Sequence, residues 1–147
     1  MLPWNTVDDI YLPLNLENEH WVLCVVHLQE WRIDVYDCDQ TVCPGVNFDP
    51  FIQPLCEMFP YFLVGAMFSE GEKARYPKLS LSKFEFSRLP HPTVPKATTS
   101  GDCGFFVIMY LEFLTAKLLD VKDVNSSNMV FWRKKWAVRL FHNILNC

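Results

Sequence analysis

The sequence predicts a single domain that mixes strands and helices, on three observations. Two runs with strand character, Trp21–Leu28 and Trp31–Tyr36, stand close enough together to form a hairpin. A long apolar stretch opens at Gly101-Asp102-Cys103-Gly104 and continues Phe-Phe-Val-Ile-Met-Tyr-Leu, the pattern of a helix buried on most sides. The chain has 147 residues, half of them hydrophobic and 15% aromatic, enough for one sizeable core and the usual length of one domain.

Taken in order, Asp9-Ile10-Tyr11-Leu12-Pro13 reads as a short strand ended by its proline. Trp21–Leu28 is rich in β-branched and apolar residues and reads as a buried strand. Trp31–Tyr36 alternates with the period of two that marks a half-exposed one. Only Gln29 and Glu30 separate the pair, so an antiparallel hairpin is expected. Asp49-Pro50 resembles a helix start, with Pro54 and Pro60 expected to keep that helix short. Residues 66–80, with Gly71, several charges and Pro77, read as a surface loop, and Lys83–Ser87 alternates like a strand. Leu89–Ser100 carries Pro90, Pro92 and Pro95 and is expected to run extended into Cys103. The helix from Cys103 should reach about Leu119. A cap within Asn125–Asn128 should start a last helix from about Met129 to Leu145. On that helix Met129, Trp132, Trp136 and Leu140 form an apolar stripe, with Arg133, Lys134, Lys135 and Arg139 on a solvated face.

Composition removes several function classes. Net charge is -4, from 13 basic and 17 acidic side chains, which argues against a nucleic-acid binder. The longest unbroken apolar run, Phe105–Leu111, is too short for a membrane span, and the N-terminus lacks the pattern of a secretory signal. A soluble protein of the cell interior, nucleus or cytoplasm, is expected, with its six cysteines as reduced thiols. Cys38 and Cys43 with His20 and His27 are the only zinc candidates. Without a CxxC pair their spacing is loose, and no metal or cofactor is expected.

Chemistry enters through Cys103. At the mouth of a helix, the partial positive charge of the N-terminus favours thiolate, the reactive form. A free cysteine is more commonly one more buried apolar residue, and the local sequence alone does not decide. A nucleophilic cysteine needs a base, and the base needs an orienting group. His20 precedes the first hairpin strand and Asp37 follows the second. A turn centred between Gln29 and Glu30 sets His20 opposite Asp39 and Val22 opposite Asp37. The imidazole then has carboxylates straight across and on the diagonal, both within side-chain reach. Spacing alone does not choose between Asp37 and Asp39. His27, His91 and His142 have no comparable arrangement and are expected to be structural or exposed.

His20-Trp21-Val22-Leu23, Ile33-Asp34-Val35-Tyr36-Asp37 and Gly101-Asp102-Cys103-Gly104-Phe105-Phe106 together resemble the ubiquitin-like-protein-specific cysteine proteases, the SUMO- and NEDD8-type enzymes. Ile10–Asn15 is similar to the family strand that precedes the histidine, and the likeness extends from about Val7 to the last helix. The resemblance implies an α+β papain-like fold, with a small mixed or antiparallel sheet packed against a central helix. It implies cleavage after the Gly-Gly terminus of a ubiquitin-like modifier or its conjugates. Cys103 would be the nucleophile, His20 the base and then acid, and Asp37 the group that fixes the ring. Trp21 would lie near the channel that threads the glycine tail; plain core packing is its competing role.

Two departures qualify these expectations. The family carries a glutamine donor to the oxyanion six residues before the cysteine, and this chain has Ala97 there. Thr98 or Thr99 could supply a hydroxyl, while nothing places Gln40. The chain also begins just before the first matching strand, so residues 1–147 are expected to form a single, partial catalytic domain lacking the family's helical lead-in. A weakened protease is therefore expected. The alternatives are a catalytically silent module that binds a modifier or another protein, and an unrelated structural domain in which the three residues are incidental. Oligomeric state is not legible.

Overall fold

The computed structural model describes residues 6–66, 74–99, 101–117 and 120–145. Strands β1 (Asp9–Leu16), β2 (His20–His27), β3 (Arg32–Tyr36) and β4 (Glu85–Arg88) form one mixed sheet in that order. β1/β2 and β2/β3 are antiparallel, and β4 joins β3 in parallel. Helix α1 (Gly45–Ala66) links β3 to β4, α2 (Cys103–Ala116) follows the proline-rich loop, and α3 (Met129–Leu145) closes the described chain.

Strand alternation sorts the side chains into two cores. Val22, Cys24 and Val26 of β2 and Ile33 and Val35 of β3 bury against Phe48, Ile52, Cys56 and Leu63 of α1. Leu23 and Val25 point the other way, onto Phe106, Met109, Tyr110 and Phe113 of α2. The sheet is therefore covered on both faces, with α2 against β2. Ile108 and Leu111 are exposed, so α2 is buried over less of its circumference than its sequence suggests. None of the described helices is long and apolar enough to cross a membrane.

The hairpin register follows the turn chemistry. Leu23 pairs with Tyr36, Cys24 with Val35 and Val25 with Asp34, the register of a turn centred between Gln29 and Glu30. Trp31 closes that turn with a left-handed backbone (φ 59°) and donates its N–H to the His27 carbonyl at 2.9 Å. The preceding β1–β2 turn has two left-handed residues, Glu17 and Asn18, the geometry that matches the twist of a tight hairpin. That turn sets His20 at the first position of β2.

Several expectations are corrected. β1 does not stop at Pro13 but continues to Leu16; it is the sheet's edge strand, where a residue without an N–H is tolerated. α1 is 22 residues long and contains Pro50, Pro54 and Pro60. Pro60 cannot donate to the Cys56 carbonyl one turn back, and Phe84 N–H fills that acceptor at 3.0 Å. Burial of one α1 face against the sheet does the rest. Within 74–80, Tyr76 is core and donates its hydroxyl to the Val7 carbonyl at 2.6 Å; the expected loop's residues 67–73 lie outside the described residues. α2 ends at Ala116, where Lys117 takes a left-handed cap, and residues 118–119 lie outside the description. Leu140 is exposed, and the basic residues of α3 are not simply solvated. Arg133 pairs with Asp102 and lies over the Phe105 ring, and Arg139 and Lys135 pair with Glu112 at 2.8 and 3.5 Å. Arg133, Lys134 and Arg139 nevertheless stay exposed, as a solvated face would, with the acidic partners on and just before α2. Asn125 caps the short turn Ser126–Asn128 that leads into α3.

Candidate active site

His20 and Asp37 meet where the hairpin opens. His20 Nε2 lies 2.8 Å from Asp37 Oδ1, with the two side chains 3% and 0% exposed. Asp39, directly across in the extended register, instead donates its backbone N–H to Asp37 Oδ1 at 2.8 Å and turns its carboxylate to Thr41. The diagonal carboxylate thus holds the ring. A carboxylate accepting at Nε2 stabilises the Nε2–H tautomer and leaves Nδ1 as the basic nitrogen. Among the described residues Nδ1 makes no hydrogen bond.

Cys103 is the first residue of α2 and is partly exposed. Its backbone N–H belongs to the first turn, which has no intrahelical acceptor. Gly101, at φ 82°, supplies the left-handed step that a residue with a Cβ would resist, and Asp102 then caps the helix without a side-chain hydrogen bond. The Asp102 carboxylate is engaged by Arg133 instead. Cys103 and His20 line one cleft of about 180 Å³, whose other walls include Cys38, Asp39, Val42 and Ala97–Thr99. No hydrogen bond joins the sulfur to the ring among the described residues. A second depression shares Glu19 and Val42 with this cleft and extends it toward Phe51.

The loop that carries Ala97 is stitched down along its length. Leu89 N–H donates to Val35 O at 3.0 Å, Tyr110 Oη to Pro95 O at 2.9 Å, and Ala97 N–H to Cys38 O at 2.8 Å. Thr98 N–H reaches Ser126 Oγ at 2.9 Å. Gln40 is committed elsewhere: its Nε2 donates to Leu89 O at 2.7 Å, which ties the segment after β3 to the end of β4. Ala97 therefore faces the cleft without a side-chain donor, flanked by the exposed Thr98 and Thr99. Trp21 is 41% exposed, so it is not a core residue, and its ring lies 4.0 Å from where a Cβ on Gly104 would stand.

The residue that sequence reasoning missed is Arg88, the last of β4. Its Nε donates to Asp37 Oδ2 at 3.0 Å, and Nη2 makes a second, closer contact with the same oxygen. Nη1 donates to Cys43 O at 2.6 Å, and the guanidinium stacks over the Phe48 ring at 4.5 Å. Burial alone would raise the Asp37 carboxyl; the hydrogen bonds from His20, Arg88 and the Asp39 N–H outweigh it and hold the group below the usual carboxylate range. Parallel pairing of Val35 with Arg88 brings the cation there, and no local signal announces that pairing.

One nitrogen, oxygen and sulfur of His20, Asp37 and Cys38 lie within 4.8 Å of one another. Those of His20 and Asp37 are already joined in the hydrogen bond described. His27 sits at the far end of the sheet between Asp9 (2.7 Å) and Asp34 (3.3 Å), a clamp across three strands. Cys43 and His27 therefore do not join His20 and Cys38 as a zinc set among the described residues. Cys24, Cys38, Cys43 and Cys56 are buried free thiols, and Cys147 lies outside the described residues.

Comparison with known proteins places this arrangement. The solved Ulp1 protease domain in complex with Smt3, the yeast ortholog of SUMO, superposes with a TM-score of 0.61 at 18% identity, over 90% of this chain and 51% of that one. The SUMO protease Ulp1 with its catalytic cysteine oxidised to a sulfonic acid matches at 0.60 and 19%, over 90% and 52%. The Chaetomium thermophilum Ulp1-like SUMO protease catalytic domain matches at 0.55 and 18%, over 88% and 45%. The fold is thus the α+β fold of the Ulp1 proteases, and the chain spans about half the length of these solved relatives. No curated protein matches. Residues 3–146 match the profile described as Ulp1 protease family, C-terminal catalytic domain, and the chain belongs to that family.

Proposed function

We propose that this chain is a cysteine peptidase or isopeptidase that cleaves after the Gly-Gly terminus of a SUMO-like modifier, at a rate lowered by the alanine at position 97. The observation that carries the reading is the buried His20–Asp37 pair in the wall of the cleft that also contains Cys103.

In this reading Asp37 keeps the Nε2 proton, so Nδ1 takes the proton of Cys103 Sγ. The thiolate attacks the carbonyl carbon of the terminal glycine, and the carbonyl π electrons move to oxygen. The Cys103 backbone N–H, at a helix N-terminus, supports that oxyanion. Collapse expels the amine, which takes its proton from the imidazolium and leaves a thioester on Cys103. Water, deprotonated by His20, then hydrolyses the thioester and releases the modifier acid. Exposed Trp21, beside the first turn of α2, would flank the glycine tail. The solved relative bound to Smt3 supports a SUMO-like partner. The reducing interior of the cell, nucleus or cytoplasm, is the compartment where such a thiol persists.

Ala97 sets the rate. Loss of one side-chain oxyanion donor costs roughly 10²–10³-fold, about 2.7–4 kcal/mol. Thr98 and Thr99 offer hydroxyls but no amide. The same alanine favours the second reading, a silent module that binds the modifier without cleaving it.

A SUMO vinyl-sulfone probe tests both. The expected result is an adduct mapped to Cys103, absent in Cys103→Ala. Ala97→Gln should raise the labelling rate and kcat for a modifier–coumarin substrate by roughly 10²–10³-fold. Absence of adduct and of turnover in both the parent and Ala97→Gln, with modifier binding retained by Cys103→Ala, would establish the silent module instead.

A further inference from the structure

We propose that Arg88 is a positioning residue of this site: it anchors the far oxygen of Asp37 so that the near one is aimed at His20, and its charge limits how strongly that carboxylate stabilises an imidazolium. The proposal rests on the protease reading for its purpose, but its test does not require proteolysis.

The geometry divides the carboxylate into two halves. Oδ1 accepts from His20 Nε2 and from the Asp39 N–H, both at 2.8 Å. Oδ2 is left to Arg88, which uses two nitrogens on it. The guanidinium is itself immobilised, by the Cys43 carbonyl through Nη1 and by the Phe48 ring against its face. Its side chain is 11% exposed, so water screens the pair weakly. A planar fork fixed at three points prevents rotation of the Asp37 carboxylate, and with it loss of the His20 contact. The anchor comes from β4, the bond from β2 and the carboxylate from the end of β3, so three strands must be assembled before the ring is aimed.

The charge has a separate consequence. An imidazolium beside a lone buried carboxylate is strongly stabilised, and a second cation on the same carboxylate weakens that. Most of the other titratable groups facing Asp37 supply no charge to offset it. Cys24 from β2, Cys38 beyond β3, Cys43 before α1 and Tyr110 from α2 are all pushed toward their neutral forms by burial. Asp39 is the exception: its carboxylate is bonded to Thr41, lies near Lys96 and also acts on His20, a contribution common to the parent and the Arg88 variants. Cys103 stands across the cleft. Among the described residues that hydrogen-bond Asp37, Arg88 is the one permanent cation.

The test is the pH profile of Cys103 alkylation by iodoacetamide on the whole chain, in a Cys147→Ser background. Such a profile has a lower plateau, from the thiolate beside an imidazolium, and an upper inflection where the ring loses its proton. Arg88→Gln keeps an N–H donor and removes the charge; the upper inflection should move to higher pH by about 0.5–1 unit. Arg88→Lys keeps the charge and loses the fork; the inflection should stay, and the lower-plateau rate should fall by about threefold or more. An unmoved inflection in a folded Arg88→Gln overturns the electrostatic part. If Arg88→Gln fails to fold, Arg88→Lys decides, and a wild-type plateau in it overturns the positioning role. Turnover of a modifier–coumarin substrate is scored separately. A parent that alkylates with this profile but never cleaves ends the protease reading and leaves the Arg88 comparison standing.

Discussion

Asp37 is enclosed completely, and two of its three donors, His20 and Arg88, are groups the fold had to bring there. Its carboxyl is held below the ordinary value in the folded protein, so it contributes stability that is complete above the unfolded value and is lost as pH falls through the folded one. The unfolded value is near 3.9, which puts the loss below about pH 4. Asp37→Asn leaves Arg88 buried without its counter-charge, and breaking such a pair costs about 3–5 kcal/mol. Urea unfolding should show that deficit at pH 7 and a narrower one at pH 3, below the unfolded value, where the unfolded parent has taken up the proton and part of the stabilisation is gone. An equal deficit at both pH values would mean that charge pairing is not what Asp37 contributes. At this scale the His20–Asp37 contact was legible, because a short hairpin fixes which residues stand on its diagonal. Spacing left Asp37 and Asp39 open and the family resemblance pointed to Asp37; the fold supplies the physical reason, since Asp39 is drawn off by Thr41. Arg88 was invisible: its place depends on a parallel strand that returns through a 22-residue helix, and no turn sets that register.

Elements show the same division between local and non-local causes. The reach of β1 and its turn into β2 were not read, but the β2–β3 hairpin and the start of α2 follow from residues close in sequence, and their positions could be read directly. α1 could not, because its three prolines argue locally for a break. The compensation comes from Phe84, far along the chain, and from burial of Phe48, Ile52, Cys56 and Leu63 on the sheet. If packing rather than propensity holds α1, its two faces must differ sharply. Ile52→Ala, at a fully buried site, should cost about 2–5 kcal/mol in urea unfolding. Met58→Ala, at a site 63% exposed, should stay within about 0.5 kcal/mol. Comparable losses from the two variants would mean that α1 packs with another face inward.

Across the whole molecule, burial separates one described thiol from the others. Cys24 and Cys56 sit in the α1-side core, where burial raises them to about 12 and about 11. Cys38 is raised by burial in the α2-side core, and Cys43 by burial at the head of α1. Each is therefore protonated at neutral pH, and each is buried, although Cys38 also borders the cleft and Cys43 the depression beside it. Cys103 differs in exposure: the first turn of α2 leaves it only partly buried at the edge of that packing, open to the cleft. Global closure of the two cores, not any single contact, makes this difference, so it should vanish on unfolding. Native protein carrying Cys147→Ser and treated briefly with iodoacetamide at pH 7.5 should acquire one label, which peptide mapping assigns to Cys103. In urea above the unfolding midpoint, Cys24, Cys38, Cys43 and Cys56 should label as well, at rates close to one another. Early native labelling of Cys24 or Cys56 would show that α1 opens away from the sheet without global unfolding. The surface on which His20, Asp37 and Arg88 depend would then be a locally mobile one.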